Sequence, residues 1–162
     1  MAQIRVPIDI RDLTLTDLNQ LRWSGGPSHL RAVGVQLARV ASGLAEYLVA
    51  CPPSGLPIGK AAIDYSGIAD AGLIHQVAVH GAFQSCGIGT LLMTEAEDRI
   101  LGRGRGRAEL AVEHNNPRAR ALYERLGYIA YNDVPEEWDD DGPNGTVVRY
   151  HTMCTLMRKP LA

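Results

Sequence analysis

Apolar positions along the chain follow two periods, and the places where one gives way to the other mark the elements. Residues 4 to 10 (Ile-Arg-Val-Pro-Ile-Asp-Ile) alternate apolar and polar, which predicts a half-buried strand. Pro7 has no N–H for a ladder, so that strand belongs at an edge or is irregular. Asp12 to Leu21 predicts a short helix with Thr14 or Thr16 as its cap. The stretch 23–29 predicts a loop, and residues 30–42 a further helix. Ala45–Ala50 and Ile58–Tyr65 read as a hairpin around Cys51-Pro-Pro-Ser-Gly-Leu-Pro. Leu73–Val79 is more continuously apolar, which predicts a central strand.

From Ile88 the period changes to that of a helix. Ile88, Leu91, Leu92, Glu95, Ala96, Arg99 and Ile100 recur at spacings of three and four, and the apolar members predict one buried stripe. The pattern ends in Gly102-Arg-Gly-Arg-Gly-Arg, and Arg107–Val112 is the next strand. Pro117–Leu126 predicts a second helix, with Asn116 as N-cap, Pro117 at the first helical position and Gly127 just past the end. Tyr128–Tyr131 and Val147–Met157 read as strands joined by a long acidic loop, Glu136-Glu-Trp-Asp-Asp-Asp-Gly-Pro-Asn-Gly. Strands followed by β–α–β–α–β predict an α/β (α+β) fold, a mixed sheet flanked by helices. The unit 73–112 predicts a right-handed crossover.

Composition narrows the class. A length of 162 residues and an apolar share of 46% predict one globular domain over 1–162. A net charge of -2 predicts no general attraction to nucleic acid or anionic membrane. No apolar run approaches the ~20 residues of a spanning helix, and the charged N-terminus does not read as a signal peptide. Cys51, Cys86 and Cys154 are odd in number and widely spaced, which predicts free thiols in a cytoplasmic protein and no zinc site.

The candidate chemistry lies at the junction of the strand 73–79 with the helix that begins at Ile88. Gln84-Ser85-Cys86-Gly87-Ile88-Gly89-Thr90 directs several backbone N–H groups, and the positive end of a helix dipole, at one spot. Such a junction suits a phosphate or pyrophosphate. A Walker loop needs Lys then Ser/Thr after its last glycine, whereas Thr90 and Leu91 follow Gly89. A dinucleotide loop needs G-x-G-x-x-G, and only G-x-G is present.

Gln84-x-x-Gly87-x-Gly89 after Val77-Ala-Val79 resembles motif A of the GNAT superfamily of acyl-CoA-dependent N-acyltransferases. Asn116-Pro-Arg-Ala119-Arg-Ala-Leu122-Tyr123-Glu124-Arg-Leu126-Gly127-Tyr128 resembles motif B of that family. Together the two cover roughly residues 73 to 131. The resemblance implies a mostly antiparallel sheet of about six to seven strands with about four helices, splayed between strand 73–79 and strand 107–112 to admit the acyl-CoA. It implies a pyrophosphate held by N–H groups of Cys86, Gly87, Ile88, Gly89 and Thr90, with Gln84 in the loop. It implies a pantetheine arm that pairs with Val77, Ala78 and Val79 as an added strand, and a thioester carbonyl facing a backbone N–H near Val77. Asn116 is a helix cap on physical grounds and, by resemblance, a pantetheine contact. Arg118 and Arg120 are candidates for steering the phosphates.

The resemblance also implies a reaction: N-acetylation of a primary amine by acetyl-CoA, in a ternary complex and without a metal. A small-molecule amine is the expected acceptor. A protein N-terminus or lysine is the alternative, and a non-catalytic acyl-CoA sensor the non-enzymatic one. Tyr123 stands where the family places its general acid. For the base, four readings stay open. His75 shares an expected sheet face with Val77 and Val79 and titrates near neutrality. Its run His75-Gln-Val-Ala-Val-His resembles a strand of arylalkylamine N-acetyltransferases, although Leu73 stands where a second histidine would be. Glu113 ends the next strand, Glu46 lies on the hairpin, and a water chain needs no single base. Cys86 is called on only for its backbone, so no acyl-cysteine is expected. Arg103, Arg105 and Arg107 are expected to complement the helix dipole and solvate a turn. The acidic stretch 136–141 with Trp138 is expected to be a solvated loop, or an overhang that attracts a cationic amine. The C-terminal strand edge leaves a homodimer open.

Overall fold

The structure is a computed structural model that describes residues 1–162. One seven-stranded sheet runs through the molecule. Its strands are β1 Asp9–Asp12, β2 Ala45–Cys51, β3 Gly59–Asp64, β4 Ala71–Val79, β5 Arg107–Glu113, β6 Ile129–Asp141 and β7 Val147–Pro160. They lie in the order β1-β2-β3-β4-β5-β7-β6, so β4 is central, as its apolar run predicts. Every neighbouring pair is antiparallel except β4–β5, which is parallel. Three α-helices flank the sheet: α1 Pro27–Val40, α2 Ile88–Gly102 and α3 Pro117–Arg125. None of them is long and apolar enough to cross a membrane.

The two faces of the sheet carry separate cores. On one, α2 and α3 pack Ile88, Leu92, Ala96, Ile100 and Tyr123 against Leu48, Ile63, Ile74, Leu110 and Met157. On the other, α1 and the N-terminal turns cover Tyr47, Val49 and Ala62 with Leu21 and Val33. Each fully buried aliphatic side chain of these layers contributes ~1.5–3 kcal/mol of transfer free energy. The stripe of α2 runs 88–92–96–100 with Met93 beside it; Leu91 turns outward.

Three expectations change. Residues 4–8 do not join the sheet, and β1 is only Asp9–Asp12; Pro7 precludes an early ladder. The helix expected at 12–21 is a 3₁₀ helix, Leu15–Gln20, closed by a reciprocal cap between Thr14 and Asp17. The acidic segment 136–141 is no loop. It is the outer half of β6, paired with β7 from Glu136↔Thr152 to Asp141↔Val147. Nearly all of β6 is exposed, so nothing demands apolar alternation, and the usual strand signal is missing. The connecting turn is confined to residues 142–146.

The feature that positions the site is a divergence within β4. It pairs with β5 only at Ala71, Gly72 and Leu73. Beyond Leu73 that edge of β4 has no neighbour. On the opposite edge its register with β3 shifts between Lys60 and Ala62, and Gln76 takes a left-handed φ of 52°. One extra residue at this bulge puts His75 and Gln76 on the same face and changes the phase of all that follows.

Candidate active site

The loop between β4 and α2 folds as a nest of N–H groups. Ser85 and Gly87 both have positive φ, 61° and 86°, which is costly for the serine and free for the glycine. Gly87 is the N-cap of α2 and no side chain caps the helix, so its first-turn N–H groups have no protein partner of that kind. Arg118 braces the loop: its guanidinium donates to Gln84 Oε1 and Ser85 Oγ, both at 2.7 Å. Gly89 lets α3 come close, since a Cβ there would stand 3.2 Å from Leu122 Cδ2. On α3, Asn116 Oδ1 accepts from the Ala119 N–H at 3.2 Å.

These elements enclose a cleft of about 600 Å³ lined by Val77, Ala78, Val79, Gln84, Gly87, Ile88, Gly89, Thr90, Asn116, Arg118 and Tyr123. The open edge of β4 forms one wall and the start of α2 the other. Tyr123 is buried against Tyr128, ring centroids 6.1 Å apart, and burial pushes its phenol up to about 12, so it is protonated at neutral pH. Cys86 is exposed beside the loop and does not line the cleft. Arg120 also lies outside it: its guanidinium donates to Glu124 Oε1 at 2.8 Å and borders a separate hollow with Tyr131, Asp133 and Thr155. Helical spacing explains the difference, because Arg118 and Arg120 are two residues apart and so project about 200° apart around α3.

The base candidates also separate. His75 does not share a face with Val77 and Val79, because the bulge at Gln76 intervenes. It is paired with Ala62 beneath α1, it contacts Gln36 Nε2 through its own Nε2, and burial pushes it down to about 4. Val77 and Val79 pack into the α2–α3 core. Glu46 is bound to Arg99 at 3.3 Å and to Tyr65, at the end of α2 far from its capping loop. Glu113 ends β5 on the face turned away from α2, by alternation with buried Leu110 and Val112, and it accepts from Tyr150 Oη at 2.8 Å. Arg103 and Arg105 are occupied by carbonyls: Gly43 O for the first, Ile68 O and Ala71 O for the second. They fasten loops more than they solvate a turn.

The face of Glu113 carries a set of groups that sequence reading missed as a set. Glu136, Trp138 and Asp140 of β6 oppose Thr152, Tyr150 and Val148 of β7, and the Trp138 and Tyr150 rings meet tilted by 44°, centroids 5.0 Å apart. Asp141 Oδ1 accepts from the Ser28 N–H at 3.0 Å and so caps α1. Beside it lies a polar cluster in which buried Tyr47 and Lys60 meet half-buried His29 and Gln76. The one signal of that cluster in the sequence is a lone cation in the apolar run Gly59-Lys-Ala-Ala-Ile.

The architecture has known counterparts. An uncharacterized N-acetyltransferase of Methanocaldococcus jannaschii is 35% identical over 83 residues, 48% of this chain and 37% of that protein, so the match spans little more than a third of the relative. Among solved structures, the ribosomal-protein-S18-alanine N-acetyltransferase from Escherichia coli aligns with a TM-score of 0.66 at 20% identity, over 96% of this chain and 95% of that one. The spermidine N-acetyltransferase from Vibrio cholerae, in complex with CoA and spermine, aligns with a TM-score of 0.69 at 19% identity, over 94% and 95%. At such identities these two share the fold. The profile of the Acetyltransferase (GNAT) family matches residues 17–128, the span that holds the β4 splay, the Gly87–Gly89 loop and Tyr123, and the chain therefore belongs to the GNAT family of acetyltransferases.

Proposed function

We propose that residues 1–162 form one N-acetyltransferase domain that moves the acetyl group of acetyl-CoA to a primary amine of a small cationic molecule, directly and in a ternary complex. One observation carries the reading: the unpaired edge of β4, the uncapped start of α2 and the protonated Tyr123 converge on a single cleft. The N–H groups of Gly87–Thr90 suit a pyrophosphate. The open edge of Val77–Val79 suits the amides of pantetheine, in the manner of strand addition. The thioester carbonyl then meets the Val77 N–H, which stabilises the oxyanion as the amine attacks. A C–N bond forms, the C–S bond breaks, and the leaving thiolate takes the Tyr123 proton. The amine proton leaves towards water or Glu113, which faces the acceptor side.

The acidic and aromatic wall of Glu113, Glu136, Trp138, Asp140 and Tyr150 supports a cationic acceptor. Such a wall suits a polyamine, the class named for the Vibrio enzyme of the same fold. Three free cysteines support a reducing, cytoplasmic setting. Titration calorimetry with acetyl-CoA, followed by thiol release across a panel of amines headed by spermidine, tests the reading. Micromolar binding of acetyl-CoA and turnover with a cationic amine are expected. Absence of acetyl-CoA binding would falsify it.

A further inference from the structure

Lys60 is the one charged side chain in the apolar run of β3, and it is 0% exposed. No carboxylate pairs with it. Its Nζ instead meets three lone pairs: Gln76 O at 3.0 Å, His29 Nε2 at 2.9 Å and Tyr47 Oη at 3.2 Å. An ammonium has three N–H donors, one for each of these partners when His29 carries its own proton on Nδ1. The Tyr47 hydroxyl then donates to Gln76 Oε1 at 2.7 Å. The bulge residue Gln76 is thus gripped by both its backbone carbonyl and its side chain, which is what a non-glycine residue at φ 52° needs to stay there.

We propose that Lys60 is a positioning residue for acyl transfer: it fixes and polarises the Gln76–Val77 peptide so that the Val77 N–H becomes a stronger, pre-aimed donor to the thioester oxygen. The inference rests on the acetyl-CoA reading above. The geometry runs through one peptide plane. No peptide bond in the chain is cis, so the carbonyl and N–H of that peptide point in opposite directions. Lys60 holds the carbonyl on the α1 side of the sheet. The His80 N–H donates to Ile58 O, just before β3, and alternation along the strand turns the Val77 N–H to the other edge, where β4 has no partner beyond Leu73. A cation on the oxygen draws electron density through the amide and strengthens the N–H as a donor.

Stability alone does not account for this residue. Burial disfavours the ammonium and pushes it down to about 7, and an apolar side chain of similar volume commonly replaces a buried charge at no loss. The acceptors at Gln76, Tyr47 and His29 keep the ammonium in place, and of the three only the Gln76 carbonyl connects it to the cleft.

The test is an infrared difference spectrum of acetyl-CoA labelled with carbon-13 at the thioester carbonyl, bound to wild type, Lys60→Met and Lys60→Gln. In wild type the band is expected below that of free acetyl-CoA. In Lys60→Met the displacement shrinks to about half or less, and in Lys60→Gln, which keeps a neutral donor, it is intermediate. Acetyl-CoA affinity by calorimetry stays within about threefold, while kcat with a working amine falls about ten- to a hundredfold. A merely structural lysine would lower melting temperature and affinity and leave the band of the bound fraction where it is. An unchanged band in folded Lys60→Met overturns the proposal. If neither variant folds, the wild-type band followed across about pH 6 to 8 decides: a displacement that shrinks as Lys60 loses its proton near 7 supports the proposal, and a displacement that does not change with pH overturns it. Wild-type protein that binds no acetyl-CoA sinks the function reading instead, which calorimetry records separately.

Discussion

At the bulge of β4 the two faces of one sheet carry different kinds of chemistry. On the α2–α3 side the groups that matter are backbone: N–H groups of the Gly87–Gly89 turn and the open edge of Val77–Val79, set in an apolar core with one phenol, Tyr123. On the α1 side they are side chains, namely Glu113, Tyr150, Trp138 and Asp140 at the surface and Lys60, His29 and Gln76 beneath. A backbone site recognises what all acyl-CoA molecules share. A side-chain site can be altered residue by residue without disturbing the loop. Under the proposed function, donor binding falls to the first face and acceptor choice to the second.

The comparison is broken most directly at Tyr123. Tyr123→Phe keeps the ring against Tyr128 and removes the proton, so kcat is expected to fall about 10²–10³-fold with acetyl-CoA affinity within about threefold; equal losses of both, read by steady-state kinetics and calorimetry, would refute a role as acid. Next comes the loop. Gly87→Val forces a β-branched residue to φ 86° at a cost of about 1–3 kcal/mol, which is expected to weaken acetyl-CoA about ten- to a hundredfold and leave the amine KM unchanged in the remaining active protein. Acetyl-CoA bound as tightly as by wild type would remove the loop from the donor face.

Changes on the acceptor side are expected to be smaller. Trp138→Ala deletes an aromatic surface worth about 0.5–1 kcal/mol to a cation at an exposed site, so the KM for a cationic amine should rise about two- to fivefold with acetyl-CoA binding untouched. A neutral amine should not notice the change. The smallest effect concerns stability. His75 is held near 4 in the folded chain, below its unfolded value of 6.5, so between these values the unfolded chain binds more protons and stability rises with pH. Acidification from about 6.5 to about 4 therefore removes stability that His75→Gln retains. Thermal melts across that window check it: a wild type and variant that lose stability in parallel would show that His75 is not buried in its neutral form.

Legibility followed the same division. The donor side was readable because its parts are local. A cap, a glycine turn and a helical stripe are written in consecutive residues, and Asn116, Gly127 and the 88–92–96–100 stripe stand where periodicity puts them. Leu91 fits the helical period yet turns outward, because stripe width is set by what packs opposite. The acceptor side was not readable. Its wall needs the register of β6 against β7, and that exposed pair has no alternation to reveal it. Period-two alternation puts His75 on the face of Val77 and Val79, but it fails at a bulge, and nothing in His75-Gln-Val announces one. Arg118 and Arg120 read alike as phosphate candidates, and only the azimuth of α3 against the cleft separates them.

The sequence alone determined a strand–glycine loop–helix junction, the capped helix that begins after Asn116, and a fold with a central strand at 73–79, since each depends on propensities and spacings within one segment. Tertiary structure decided which edge of β4 lies open, which face each base candidate occupies, and that Lys60 grips the peptide behind Val77. Those outcomes depend on pairing between segments distant in sequence and on one inserted residue that reverses a strand, and no local pattern encodes either.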